Sequence, residues 1–388
     1  MKVRLMNKIS QEGLKRLPAD RYEVGEDLDH ADAIMVRSAS LHDAEFEPEL
    51  KCIARAGAGV NNIPLDRCSE QGIVVFNTPG GNSNAVKELT IAGLLLASRK
   101  IVKGIEWVKT LDPEGIAKAV EKGKSQFAGP EIAGKKLGVI GLGAIGVQVA
   151  NAAAALGMDV YGYDPYISVR AAWTLKARIH HISELKAIFE ECDYITLHLP
   201  LMDSTRGMLN EEAFAQMKDD VRIVNFARDA LVDEAALAAA IAQGKVAAYV
   251  TDFASPKLIA LDQVIITPHL GASTPESEDN CARMAANEIR DYLEWGNIRN
   301  SVNMPELALN PSARNRICII NRNVPNMVAK ISSQLGQYGI NIETMANKAR
   351  GEYAYTIVET NDTIDELSIE GIRSSEGIIN VRVIQQTA

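Results

Sequence analysis

Short apolar runs alternate with polar helical stretches through the first eighty residues of the chain. Residues 3–6, 33–36, 52–56 and 73–76 have strand character, and the segments between them have helical character. Strand–helix–strand repetition predicts a parallel sheet with helices on its faces. From residue 84 to about residue 110 the period becomes helical, with Val86, Leu89, Thr90, Gly93, Leu94 and Ala97 on one face. A second alternation begins at residues 136–140. There a strand leads into an alanine-rich helix, 144–156, that ends at Gly157. Strands follow at 159–163, 194–198, 222–226, 247–251 and 264–267, with helical patterns at 183–190 and 234–243. This rhythm describes a doubly wound parallel sheet. Residues 275–295 form one long helix. Residues 296–311, rich in Asn, Pro and Ser, have the composition of a linker. From residue 314 onward the order is strand (317–321), helix (324–338), strand (340–348), strand (353–359), helix (364–374), strand (378–384). That is the ferredoxin-like βαββαβ arrangement.

Composition narrows the function classes. The 388 residues are 47% hydrophobic and 23% charged, ordinary values for two or three globular units. A net charge of -9 argues against broad affinity for nucleic acid or anionic membrane, though a few local cations suffice for an anionic substrate. Cys52, Cys68, Cys192, Cys281 and Cys318 are scattered and lack metal-site spacing, so no metal is expected, and reduced thiols fit a cytoplasmic protein. The first residues lack a signal-peptide pattern, and no apolar run approaches the roughly 18–20 residues that span a bilayer.

The strongest chemical signal is KKLGVIGLGAIG, where Gly141, Gly143 and Gly146 form G-x-G-x-x-G between a strand and a helix. Such a turn lets backbone approach a pyrophosphate at a helix N-terminus. The next strand ends in Asp164, where a carboxylate can accept hydrogen bonds from a ribose and repel a 2'-phosphate, favouring NAD over NADP. The plain alternative is a strand-end Asp that caps the following turn. Two more polar groups stand just beyond strands: Arg228 in IVNFARDALVDEAAL and His269 in VIITPHLGAST. An Arg fork can hold a 2-oxo acid by its carboxylate, and a His can exchange a proton with the carbonyl oxygen. Taken singly, a lone Arg is usually a surface cation and a lone His a hydrogen-bonding group.

The stretches FAGPEIAGKKLGVIGLGAIG, DYITLHLPL, VNFAR, VDEAAL and TPHLGAST resemble, in this order and spacing, the D-2-hydroxyacid dehydrogenases. VRSAS, ARAGAGVNN and NTPGGNSNAVKELT resemble the branch of that family that oxidises 3-phospho-D-glycerate at the entry to serine biosynthesis. The resemblance implies an α/β protein with two doubly wound lobes, Rossmann- and flavodoxin-like. The substrate lobe would be 1–88 completed by 281–305, the NAD lobe 89–280, and a third domain 314–388. It implies Arg228 as the substrate-binding catalytic residue and His269 as the general acid/base. Ala144, Ile145 and Asp164 would hold the adenosine side of NAD. Phe226, Ala227, Arg228, Asp252, His269, Gly271 and Ala272 would surround the nicotinamide. A substrate bearing phosphate and carboxylate calls for cations, which Arg37 and Arg55 supply. Ser38, Asn82 and Ser83, with the backbone of Gly57, Ala58 and Gly59, are further donors. Gly, Asn and Ser also favour loops for their own sake.

Two departures stand out. Most of the family places a Glu after the Asp-bearing strand, paired with the catalytic His; here TDFASPKLIALDQVIITPH has none. His269 is therefore expected to lack its charge partner, with slower acid/base chemistry or a substitute such as Ser255 or a water. The C-terminal stretch RICIINRNVPNMVAKISSQLGQYGINIETM resembles an ACT domain, a module that binds amino acids where subunits meet. By that resemblance Asn323 and Asn341 would contact an effector, L-serine in regulated members. Asn321 and Asn326 replace the usual His and Gly, and Asn326 can keep a turn that needs positive φ. A homodimer or homotetramer is expected by analogy. Two rivals remain: another D-2-hydroxyacid dehydrogenase acting on glyoxylate, lactate or a sugar-acid phosphate, and a non-catalytic NAD-sensing protein.

Overall fold

In the computed structural model, which describes residues 1–385, the chain divides into two compact units. One is Met1–Gly81 with Pro275–Ala388, and the other is Asn82–Thr274.

The second unit is built on a seven-stranded parallel sheet. Its order is Val264–Ile266, Val246–Thr251, Val221–Asn225, Tyr194–Leu197, Lys136–Ile140, Asp159–Tyr163 and the short His180–His181. Central strands read as unbroken apolar runs because both faces are covered. Ile195, Leu197 and Ile223 pack on one side, and Tyr194, Val139 and Val224 on the other. Strand order reverses between Lys136–Ile140 and Tyr194–Leu197, and sheets of this kind bind ligands beyond the carboxyl ends at that point. The expected helix over 84–110 is two helices, Ser83–Ser98 and Ile101–Lys109. Arg99 is extended (φ -112°, ψ 129°), and a Cβ on Gly129 would overlap the Ser98 carbonyl, so returning chain closes off the first helix. Ser83–Ser98 buries eight residues, whereas Ile101–Lys109 buries none.

The first unit joins both ends of the sequence. Its parallel sheet has the order Glu23–Gly25, Lys2–Leu5, Ala33–Val36, Cys52–Arg55, Val74–Phe76, the flavodoxin-like arrangement. Helix Pro275–Trp295 lays Cys281, Ala282, Ala285, Ala286, Ile289 and Leu293 into its core. Helix Gln11–Leu14 lies so close that a Cβ on Gly13 would stand 2.6 Å from the backbone of Ala282. The ferredoxin-like order is present: Asn315–Arg322, helix Met327–Gln337, Thr344–Arg350, Tyr353–Thr360, helix Glu366–Arg373 and Ile378–Gln385. These strands form an antiparallel sheet in which Tyr353–Thr360 and Ile378–Gln385 flank Asn315–Arg322.

Its strand Asn315–Arg322 is buried on both faces. Ile317 and Ile319 face the helices 327–337 and 366–373, while Cys318 and Ile320 join the core that contains helix Pro275–Trp295. Residues 296–311 are accordingly not a free linker. Ile298 and Met304 are fully buried, Leu307 nearly so, and Ile298 and Leu307 exchange a backbone bridge. Apolar side chains within the Asn- and Pro-rich stretch fasten it down. Buried Arg316 donates to Glu359 Oε1, Leu309 O and Asn297 Oδ1, and also to Trp295 O. Arg382 donates to Tyr292 O and Leu293 O, and Tyr355 Oη to Gly296 O. These donors meet the carbonyls that a helix C-terminus leaves without partners.

Candidate active site

The glycine-rich turn follows strand Lys136–Ile140. Gly141 has φ 92°, and a Cβ on Gly146 would overlap the Gly141 carbonyl oxygen, so neither position tolerates a side chain. Around Gly143 there is nothing within 4 Å of where a Cβ would lie. Helix Gly146–Ala155 starts here without a side-chain cap. Among the described residues the amides of Gly143, Ala144 and Ile145 donate to nothing within the chain. An open turn, free donors and a helix N-terminus fit a dinucleotide pyrophosphate. Asp164 accepts from the amides of Leu142 and Tyr166, both at 2.8 Å. It therefore caps the turn, while each carboxylate oxygen keeps a lone pair for a ribose hydroxyl. Next to this turn, burial pushes the imidazole of His198 down to about 3 and keeps it neutral, with Nε2 3.1 Å from Thr196 Oγ1.

Arg228, Asp252 and His269 stand beyond the carboxyl ends of three adjacent strands. The parallel register Asn225↔Thr251↔Ile266 brings their loops together. Arg228 is extended (φ -150°, ψ 141°), with its guanidinium resting on the Ala227 carbonyl at 2.6 Å. Asn225, absent from the sequence-derived set, fixes this loop. Fully buried, it donates to Arg228 O at 2.9 Å and accepts from Ala227 N at 3.1 Å. A polar residue ending a buried strand must find partners, and that was its signal in VNFAR. The ring of Phe226 is 8% exposed and packs on Gly93, which leaves its backbone for ligand contact.

His269 has a carboxylate partner, contrary to expectation. Its Nδ1 lies 3.7 Å from Asp252 Oδ2, and its ring meets Phe253 edge-on at 5.3 Å between centroids. The Ser255 hydroxyl accepts from Leu258 N at 3.2 Å. Asp252 is 1% exposed, and neither carboxylate oxygen makes a well-formed hydrogen bond, although the backbone amides of Asp252 and Gly271 lie near enough to favour its charged form. Burial raises its carboxyl above the ordinary range, against the pull of His269 and Arg228. A carboxylate short of partners beside an exposed imidazole is poised to stabilise an imidazolium. A Cβ on Gly271 would stand 3.6 Å from Asp252 Oδ2, and Ala272 O accepts from Thr274 N in the loop that follows.

In the first unit the expected substrate groups have unequal standing. Asn7 Oδ1 accepts from the amides of Arg37, Ser38 and Ala39, each at 3.0 Å, a brace no sequence pattern announced. Those amides are thereby occupied. Arg55 Nε donates to Arg37 O at 3.0 Å, and its Nη1 donates to Gly59 O. A Cβ on Gly57 would stand 2.8 Å from Arg55 Nη1, so Gly57 is what lets Arg55 fold across the loop, and Ala58 O accepts from Asn77. Arg37 alone presents its guanidinium outward, paired with Glu278 at 2.7 Å. In the other unit Asn82 precedes helix Ser83–Ser98, its Oδ1 buried without a partner, and Ser83 Oγ accepts from Gln148. In the C-terminal sheet Asn323 donates to Gly351 O and Asn341 to Glu343. Asn326 adopts φ 67°, the positive value expected of it. A depression of about 740 Å³ lies against Val324, Pro325, Asn326, Met327 and Lys330, and neither Asn323 nor Asn341 lines it.

Among the described residues no helix is long and apolar enough to cross a membrane, and no group of three or more His, Cys, Asp or Glu could hold a metal ion.

Residues 91–271 match the family described as D-isomer specific 2-hydroxyacid dehydrogenase, NAD binding domain. The chain is 39% identical over 296 residues to the D-3-phosphoglycerate dehydrogenase of Methanocaldococcus jannaschii, covering 74% of this chain and 54% of that one. It thus spans about half the length of the curated relatives it matches. The NAD+-bound 3-phosphoglycerate dehydrogenase of Entamoeba histolytica superposes with TM-score 0.60 at 27% identity, over 78% of this chain and 98% of that one. A glyoxylate reductase from Paecilomyes thermophila gives TM-score 0.64 at 26% identity, over 78% and 98%.

Proposed function

We propose that this chain is a D-isomer specific 2-hydroxyacid dehydrogenase, with residues 91–271 as its NAD-binding domain, and that it oxidises 3-phospho-D-glycerate to 3-phosphohydroxypyruvate, the first step of serine biosynthesis. The observation that carries the proposal is the grouping of Arg228, His269 and the buried Asp252 beyond three adjacent strand ends in the unit that holds the glycine-rich turn. Bound NAD supplies the hydride acceptor. Arg228 leaves its own carbonyl contact to take the substrate carboxylate with a two-pronged fork. His269 accepts the hydroxyl proton as the C–H hydride departs, and returns it to the carbonyl oxygen in the reverse direction. Asp252 stabilises the imidazolium formed in between. The phosphate falls to Arg37, while Arg55 holds the loop that carries it.

L-Serine is the proposed effector of the C-terminal sheet, and a homo-oligomer the proposed assembly. Helices Ile101–Lys109 and Ile116–Gly123 bury nothing and expose Ile101, Ile105, Val108 and Ile116, which supports a second copy as their cover. The test is NADH consumption with 3-phosphohydroxypyruvate, with and without serine. Turnover abolished in Arg228→Ala and His269→Ala supports the proposal. Turnover only with glyoxylate or another unphosphorylated 2-oxo acid would keep the chemistry and discard the pathway, and silence with all of them would leave a binding protein.

A further inference from the structure

The pair Arg37–Glu278 has no scaffolding duty. Three backbone amides at residues 37–39 are already gathered on Asn7 Oδ1, and Arg55 Nε grips the Arg37 carbonyl, so the loop is fixed without any contribution from the Arg37 side chain. Glu278 stands in the first turn of the 21-residue helix Pro275–Trp295, which Glu276 and Glu278 both supply with negative charge. The helix does not depend on Glu278 alone for that charge. Yet the two side chains meet at 2.7 Å while remaining 39% and 42% exposed. A pair so wet is weak, worth at most about 1 kcal/mol, and an incoming anion can break it. Arg55 is less available to the anion, because its Nε and Nη1 already donate to the carbonyls of Arg37 and Gly59.

We propose that Glu278 is a built-in competitor for the Arg37 guanidinium and sets how tightly the enzyme holds the anionic tail of its substrate. This rests on the assignment of the phosphate to Arg37 made above. A phosphate dianion must displace the Glu278 carboxylate or share the guanidinium with it, and either weakens binding. A substrate of the same carbon skeleton without the phosphate makes no such demand. Glu278 therefore acts on affinity for the phosphorylated compound rather than on the hydride step.

The experiment compares KM and kcat for 3-phosphohydroxypyruvate and for unphosphorylated hydroxypyruvate in wild type, Glu278→Gln, Arg37→Gln and the double variant. A thermal melt of each checks the fold. Gln keeps the size of the side chain and removes the competing charge. We expect Glu278→Gln to lower KM for the phosphorylated substrate about two- to fivefold, with the gain shrinking as salt is added. The change should be smaller for hydroxypyruvate and confined to KM. In the Arg37→Gln background the Glu278 substitution should change nothing, since its effect passes through that guanidinium. A rise in KM for both substrates in Glu278→Gln would make Glu278 a support for Arg37 and overturn the proposal. An Arg37→Gln variant with raised KM beside an unmoved Glu278→Gln would overturn the competition alone. If Arg37→Gln leaves KM for the phosphorylated substrate unchanged, the phosphate assignment fails and the competition fails with it.

Discussion

Two pairings of a cation with a carboxylate occupy different units of this molecule and are built in opposite ways. In the first unit Arg316 and Glu359 meet at 2.6 Å, 0% and 1% exposed. Glu359 also receives the amide and hydroxyl of Ser312, and Arg316 spends its other donors on Asn297 and on backbone carbonyls. Burial alone would raise the Glu359 carboxyl, but the hydrogen bonds from Ser312 and Arg316 hold it below the ordinary range. In the second unit Asp252 is equally buried, yet its partner His269 is 67% exposed, 3.7 Å away, and only loosely placed backbone amides of Asp252 and Gly271 approach its oxygens. Its carboxyl is displaced upward. The lesson is that complete satisfaction marks a pair kept for architecture, whereas a buried carboxylate left short beside a wet imidazole marks one kept for proton traffic.

The comparison can be broken at either end. The largest effect is expected from His269→Ala, which should cut kcat about 10²- to 10⁴-fold while the melting temperature stays near that of wild type. Loss of stability with little loss of rate would place His269 with the architectural pair. Glu359→Ala should do the reverse, removing about 3–5 kcal/mol in urea unfolding because Arg316 is left buried and uncompensated. Replacing both Arg316 and Glu359 with apolar residues of similar volume should recover much of that loss, an outcome not available to the catalytic pair.

Glu288 offers an intermediate case. It is 7% exposed; one oxygen accepts from Asn300 at 2.8 Å and the other has no partner. Burial pushes its carboxyl up to about 8. The folded state therefore keeps a proton that the unfolded chain releases above about pH 4.5, and stability falls as pH rises from there to about 8. Glu288→Gln should gain on wild type across that window, by on the order of 1–3 kcal/mol at its upper end. A constant difference between pH 5 and 8 would show the acid to be satisfied by something else. The smallest effect is expected from Asp252→Asn. Carbonyl reduction should slow about tenfold as the imidazolium used in the reaction loses its neighbouring charge. An unchanged rate would mean that the 3.7 Å contact is incidental.

Much of this was legible in the sequence wherever backbone geometry dictates residue type. Gly141 and Gly146 are needed by a turn that leaves no room for side chains there, and the strands expected at 222–226 and 264–267 end one residue earlier, at Asn225 and Ile266. Helix Pro275–Trp295 has the bounds its pattern predicted. The failures share a cause: they concern which groups meet across the fold. The motif marks no carboxylate in place of the missing Glu. Strand register, which puts Thr251 beside Ile266, is what delivers Asp252 to His269. Asn7 lies thirty residues from the amides it gathers. The docking of the C-terminal sheet did leave a trace, since Arg316 heads the run RICII and must find a buried acid. Ile298, Met304 and Leu307 likewise betrayed the supposed linker.

The first unit takes its sheet from residues 1–76 and its covering helix from 275–295, with the whole second unit strung between them. On the ribosome the sheet strands emerge first and have nothing to close on. The second unit, continuous in sequence, can complete its own core before the covering helix leaves the exit tunnel. Strands such as Ala33–Val36, buried at every position in the finished protein, are therefore exposed throughout that interval. Residues 1–76 are then the part most in need of a chaperone, and a translation arrest shortly before residue 275 should yield a folded second unit preceded by an unprotected, protease-sensitive segment 1–76.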